Sequence, residues 1–275
     1  MFSSNAFAAV SGSLPAGFMQ WYVGLMILAV IVGTIADMIH KGSAKFFFAN
    51  ARKSRAQGKP VDKASIAVKT LAVDVLASGE FCNPRRRVAH LLTMYGFILY
   101  VVTTALMVFV YPTAATPTPA LVSQLWWLGG LMVMVGGYWF WFFIRVDVAA
   151  EGSSPLRLMR ADLFILSLLA SATLGLIWAW LQASGSAASW LFFGLYLLAT
   201  TVLFCGVYWS KFAHMFFKPA AAFDKRLAEA DGTNMNLPLL SRDDPAQRER
   251  HSMELLRDAP MDMGLGIKRE APRHY

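Results

Sequence analysis

Arg85-Arg86-Arg87-Val88-Ala89-His90-Leu91-Leu92-Thr93-Met94-Tyr95-Gly96-Phe97 passes from a basic triplet into an apolar run, with one histidine at the junction. The run continues to about residue 111, enough for the roughly 20 apolar residues that carry a helix across a hydrocarbon layer. Four other stretches share its length and character, at about 19–39, 121–144, 162–183 and 189–213. Backbone facing lipid must satisfy its own polar groups, so all of them read as helices. Composition agrees: the 275 residues are 56% hydrophobic and 15% charged, where a soluble domain carries about 25% charge. The expected fold is all-α, an integral membrane bundle of five transmembrane helices. It divides into a membrane domain, 1–218, and a C-terminal tail, 219–275.

The basic residues orient this bundle. With the N-terminus outside, the inner segments are 40–87, 145–161 and 214–275. Every Lys and Arg falls in these or within about a turn of an inner span end, while 1–18, 112–120 and 184–188 hold no Lys, Arg, Asp or Glu. The positive-inside rule then gives N-out, C-in. The formal charge of +8 belongs to a face beside anionic lipid and a partner, and it requires no nucleic acid. The first 18 residues lack the basic region of a signal peptide, so the first span is expected to be retained. The tryptophans near the span ends read as an interfacial aromatic belt.

Between the first two spans, Val68, Leu71, Ala72, Val75 and Leu76 recur at helical spacing within Lys63–Ser78, which predicts an amphipathic helix along the inner membrane surface. Asn83-Pro84 ends that segment. In the tail, Asp244-Pro245 predicts a short helix over about 245–257.

Two histidines occupy matched positions. His90 lies three residues past Arg87, about 4.5 Å of helix rise into the second span, and His214 lies where the fifth span ends. Neutral imidazoles at one depth on two helices can ligate a haem from both faces; the alternative is two hydrogen-bonded interfacial histidines. Cys82 and Cys205 are far apart, with no C-x-x-C, which argues against zinc, a cysteine-held iron–sulfur cluster or covalent haem. Any haem would be of b type, and one fits better than two, because no second histidine pair exists at the outer ends. Arg86, Arg87 and Lys211 are candidates for haem propionates; the competing readings are positive-inside anchors and, for Lys211, a snorkelling side chain. His40 and Asp162 are candidates for quinone oxygens and protons, with an ordinary interfacial histidine as the other reading of His40.

Arg87-x-x-His90 leading into Leu91-Leu92-Thr93-Met94-Tyr95-Gly96-Phe97 resembles the second span of the nitrate reductase gamma-subunit-like membrane cytochromes b. Ser210-Lys211-Phe212-x-x-His214-Met215-Phe216, followed by Pro219, resembles their last span, and Arg160-Ala161-Asp162 is a weaker echo. That superfamily includes the membrane subunits of heterodisulfide reductase, the Dsr complex and the quinone-interacting oxidoreductase. The resemblance covers about residues 19–220. It implies that His90 and His214 ligate the haem nearer the cytoplasmic partner. The outer histidines of a second haem are missing here. A short form without an iron–sulfur domain most resembles the membrane proteins associated with adenylylsulfate (APS) reductase in sulfur-oxidising bacteria. The resemblance thus implies a bacterial cytoplasmic (inner) membrane, one haem b, quinone as substrate, and a cytoplasmic flavin and iron–sulfur enzyme, APS reductase, as partner. The rival function classes are a haem-free anchor that recruits a cytoplasmic complex and, less favoured by the few intramembrane charges, a small transporter subunit.

Overall fold

The computed structural model describes residues 2–42, 59–79, 81, 83–145, 158–210 and 212–232, with 45, 47–49, 52 and 156 as isolated positions. The segment 245–257 and Lys211 lie outside the described residues, as does the side chain of His214. Helices come in the order α1 (Ala6–Val10), α2 (Ala16–Lys41), α3 (Lys63–Lys69, widening to π form over Thr70–Leu76), α4 (Pro84–Ala105, then π over Leu106–Val110) and α5 (Ala120–Trp139, then π over Phe140–Ile144). A 3-10 turn, Arg160–Asp162, leads into α6 (Leu163–Ala183). The chain then forms α7 (Ser189–Cys205, closing in a 3-10 turn over Gly206–Tyr208) and α8 (His214–Asp231). No strand occurs among the described residues.

Five of these helices are long and apolar enough to cross a membrane: Ala16–His40, Pro84–Val110, Ala120–Ile144, Leu163–Ala183 and Ser189–Tyr208. Their outer surfaces fit lipid rather than water. Leu25, Leu28, Ile31, Val32, Ile35 and Ile39 of α2 are all exposed, a continuous apolar face that a soluble monomer would not leave uncovered. The chain is a multi-pass membrane protein.

Small residues set the bundle's closest contact. Ala89, Gly96 and Thr103, seven apart along α4, are buried, and Gly96 meets α5. A Cβ on Gly129 would come within 2.7 Å of the Tyr100 backbone nitrogen, and one on Gly136 within 2.7 Å of the Ala89 carbonyl oxygen. The two backbones thus touch through positions that only glycine can occupy, the usual way membrane helices gain dispersion energy where lipid offers no hydrophobic drive. From α5 the ring continues through α6 and α7 to α2, and α2 meets α4 at the Leu106–Val110 end.

One end of the bundle is plugged by the N-terminal segment. Asn5 Oδ1 caps α1 by accepting from the Phe7 and Ala8 backbone amides at 2.9 and 3.1 Å. Its Nδ2 donates to the Tyr111 carbonyl at 2.9 Å and to Thr118 Oγ1 at 3.0 Å. Phe7 then packs edge-on between Trp126 and Trp178. Both tryptophans are 1% exposed, so they are core residues, unlike Trp21, Trp180, Trp190 and Trp209, which stay exposed as a belt requires. Outward position along a span does not say which way a ring turns, and these two turn inward.

The opposite end departs from expectation more. The fifth span stops at Tyr208 rather than running to 213. The chain turns at Trp209 and Ser210 and again at Phe212 and Ala213, with the Phe212 amide donating to Ser210 Oγ at 3.2 Å. This turn sends Phe212 inward against Phe164 and Phe204, with ring centroids 5.3 and 5.9 Å apart. Apolar residues continue past the helix end because they are core, not span. A new helix, α8, starts at His214 and runs through Pro219 to Asp231, across the 218/219 boundary drawn from hydropathy. It packs on α3, where Arg226 forms a two-pronged ion pair with Asp74. The helix expected over Lys63–Ser78 is present over 63–76. Its Thr70 is buried and its Val68, Leu71, Ala72 and Leu76 are exposed, while Val75 is turned partly inward.

Gly129→Ala is expected to lower stability by about 1–3 kcal/mol, because the added methyl meets backbone that cannot yield. Gly194→Ala, where nothing lies within 4 Å of the added Cβ, should be neutral or stabilising by up to about 1 kcal/mol. Thermal unfolding of the two variants in the same detergent measures the contrast.

Candidate functional site

Because α4 turns its small-residue stripe to α5, the neighbouring stripe faces the middle of the ring. His90, Phe97 and Thr104, also seven apart, line a central cavity of about 1140 Å³. That exceeds the ~300–1,000 Å³ usual for small-molecule sites. α2, α6 and α7 supply its other walls. The α3–α8 pair closes one end with Asp74, Val75, Lys218, Pro219 and Ala222.

The cavity is polarised. At the α3–α8 end stand His90, Arg86, Arg145, Asp162 and Lys218, and the body is apolar, with Val30, Phe97, Leu168 and Phe204 among its lining. A flat apolar molecule with acidic groups at one edge would match that distribution.

His90 is held on one side. Its Nδ1 lies 3.0 Å from Ser78 Oγ, and its ring lies 4.8 Å from that of Phe81, centroid to centroid. Ser78 is buried and has φ of 49°, the left-handed region that a non-glycine residue enters at a cost of about 1–2 kcal/mol. Two further bonds hold its segment: Tyr95 Oη donates to the Leu76 carbonyl at 2.7 Å and Arg87 Nε to the Ala77 carbonyl at 2.7 Å. Three consecutive residues at the end of α3, Leu76, Ala77 and Ser78, are thus tied to α4, and the third orients the histidine. A hydrogen-bonded Nδ1 fixes both the ring plane and the tautomer of an imidazole that uses Nε2 as a ligand.

The sequence candidates separate in space. His90, Arg86 and Asp162 line the cavity; Arg87 does not, and instead clamps the Ser78 segment. Asp162 takes Arg145 on both carboxylate oxygens and the Met159 amide at 2.8 Å, which joins the start of α6 to the end of α5. His40 is exposed beside Tyr208, 5.7 Å between ring centroids, away from the cavity lining. The backbone of His214 opens α8, and its neighbours Phe212, Met215 and Phe216 line the cavity. Lys211 lies outside the described residues.

Sequence reasoning missed Ser78, whose role follows from a bend that no periodicity announces. Lys218, one helical turn beyond His214 in the sequence, lines the cavity, and its Nζ sits 5.2 Å from the Phe81 ring centroid. Asp37, 1% exposed within the first span, went unnoticed as well. A carboxylate in an apolar run was the available signal.

Comparison with family models, with curated proteins and with solved structures found no match.

The Arg226 guanidinium holds the Asp74 carboxyl below the usual carboxylate range. A lowered value stabilises the folded form fully above about pH 4, the ordinary Asp value, and the contribution disappears as pH falls through the lowered value. The α3–α8 pair should therefore loosen below about pH 4. Hydrogen exchange over 59–79 and 214–232 should accelerate there. Asp74→Asn should lose this acid step and show fast exchange already at neutral pH.

Proposed function

We propose that the chain is a membrane cytochrome b with one haem b, held by His90 and His214, which passes electrons between a cytoplasmic redox enzyme and the quinone pool. The observation that carries this reading is His90: one ring nitrogen is committed to Ser78, the ring lines a large apolar cavity, and cations gather at the same end of it.

The residues present fit the group. His90 would ligate through Nε2 while donating Nδ1–H to Ser78 Oγ. His214 would approach from the start of α8, where Met215 and Phe216 already line the cavity. Arg86 and Lys218 line that end and would be the candidates for propionates; Arg145, which Asp162 engages, would contribute less. Bound there, haem b supplies one-electron chemistry at a potential set by its axial ligands and surroundings. Phe97, Phe204 and Phe212, which line the cavity, would keep water from a group bound there, and the Ser78 contact would keep His90 from turning away.

One haem is favoured over two because the lining of the cavity's far end offers hydroxyls and aromatic rings in place of a second histidine pair. The N-out, C-in orientation places the His90 end, α3 and α8 at the cytoplasmic face of a bacterial inner membrane. The exposed Val68, Leu71 and Leu76 of α3 then lie against the bilayer surface, and the tail beyond 219 offers a docking segment for the partner. The resemblance to the nitrate reductase gamma-subunit-like cytochromes b, and to the membrane proteins associated with APS reductase, supports a flavin and iron–sulfur enzyme of that kind as the partner.

Purified protein should show a b-type alpha band in a reduced-minus-oxidised spectrum, lost in His90→Ala and in His214→Ala. Ser78→Ala should keep the band and raise the midpoint potential, because an imidazole without its Nδ1–H acceptor is a weaker electron donor. A well-folded protein with no band, after expression with ample haem, would support the haem-free anchor instead.

A further inference from the structure

α8 reaches the neighbourhood of His90 through α3 and the turn that follows it. It packs on both the α and the π turns of α3. Arg226 donates from Nε and Nη2 to the two carboxylate oxygens of Asp74, the second at 2.8 Å. Eight residues earlier, about 12 Å along the helix, Lys218 Nζ lies over the Phe81 ring, which itself packs on His90. The Asp74–Arg226 pair is more than a screened surface contact of little worth. Its side chains are 10% and 24% exposed, and two parallel bonds fix the guanidinium plane.

Asp74 and Ser78 belong to one closed turn. The Gly79 amide donates to the Val73 carbonyl at 2.7 Å and the Ala77 amide to the Ala72 carbonyl at 3.1 Å, so these bonds enclose the residues between. Glycine is required at 79, because a Cβ there would come within 2.8 Å of the Val73 carbonyl oxygen. A displacement of Asp74 is therefore passed to Ser78, four residues on. Ser78 is also poised to move. Its φ of 49° persists only while its surroundings hold it. Of those surroundings, α4 holds the carbonyls of Leu76 and Ala77, and α8 holds Asp74.

We propose that Asp74 and Arg226 are positioning residues for His90: α8 fixes the 73–79 turn through this ion pair, the turn fixes the imidazole through Ser78, and the state of α8 is thereby read at His90. The relay rests on the geometry; its use, tuning an axial ligand, rests on the cytochrome reading above. The other side of α8, with Phe216, Ala221, Lys225 and Glu229, is exposed, so a contact made there has a path to the imidazole.

The test follows exchange of each histidine's imidazole C2 hydrogen with deuterated solvent, read by mass spectrometry on the full-length protein in detergent at equal haem content. Arg226→Gln and Asp74→Asn should each speed exchange at His90 about three- to tenfold, the worth of one hydrogen bond. His40, exposed and away from the cavity lining, should not change. Asp74→Arg combined with Arg226→Asp, which restores the pair with reversed charges, should return His90 towards the wild-type rate. In a Ser78→Ala background Arg226→Gln should have no further effect, a result that general loosening of the protein would not produce. If Arg226→Gln fails to fold, Arg226→Lys, which keeps the charge and loses the two-pronged geometry, carries the same comparison. Unaltered His90 exchange in folded variants overturns the proposal, as does an Arg226→Gln effect that persists in full without the Ser78 hydroxyl. The haem is read separately on the same samples: with an alpha band present, Arg226→Gln should raise the midpoint potential, as Ser78→Ala does. A relay seen in exchange without an alpha band sinks the cytochrome and leaves the positioning role standing; an alpha band with His90 exchange unmoved does the reverse.

Discussion

The close backbone contact between α4 and α5 is the constraint from which the cavity follows. Gly96, Gly129 and Gly136 let the two helices touch, and that contact fixes how α4 is rotated. A seven-residue step returns almost to the same side of a helix, drifting only about 20° per heptad. The Ala89–Gly96–Thr103 stripe therefore remains on α5 for its whole length, and the His90–Phe97–Thr104 stripe remains on the cavity. Larger side chains at the glycines would separate the pair and roll α4, and His90 would move with it. The ring cannot close tightly on α2, which presents branched and aromatic side chains there, so the space remains open between them.

The second constraint is polar accounting where no water helps. Many hydroxyls of the bundle are paired locally. Thr93, Thr103, Thr104, Ser167, Thr200 and Thr201 return their hydroxyls to carbonyls four residues back in their own helices. Trp126 Nε1 finds Thr104 Oγ1 at 2.9 Å. Charges that enter the bundle are paired across elements, as Arg145 is with Asp162. Against that background the Ser78 segment stands out. Its backbone occupies a costly conformation, and its three contacts with α4 all hold the region beside His90.

Much of this was legible in the sequence because lipid imposes a long-range pattern on composition. The five spans, the helix over 63–76 and the position of His90 at the edge of an apolar run follow from hydropathy and charge alone. What stayed hidden was local direction. Apolar residues from Val207 to Ala213 read as a span end because burial in a protein core and burial in lipid select the same side chains. Pro219 sits in the second turn of α8, where only the Met215 carbonyl loses a partner. Arg86 and Arg87 are indistinguishable as sequence, but neighbours on a helix point about 100° apart, so one lines the cavity and the other holds Ala77. Trp126 and Trp178 read as belt residues because a belt and an aromatic core are both placed near span ends.

The cavity's polarity decides which end a charged group can occupy. Cations and an oriented imidazole sit at the end closed by α3 and α8, and neutral hydroxyls sit at the end beside the α1 plug. A group bearing carboxylates is stabilised at the first end and would be destabilised at the second, where no cation neutralises it.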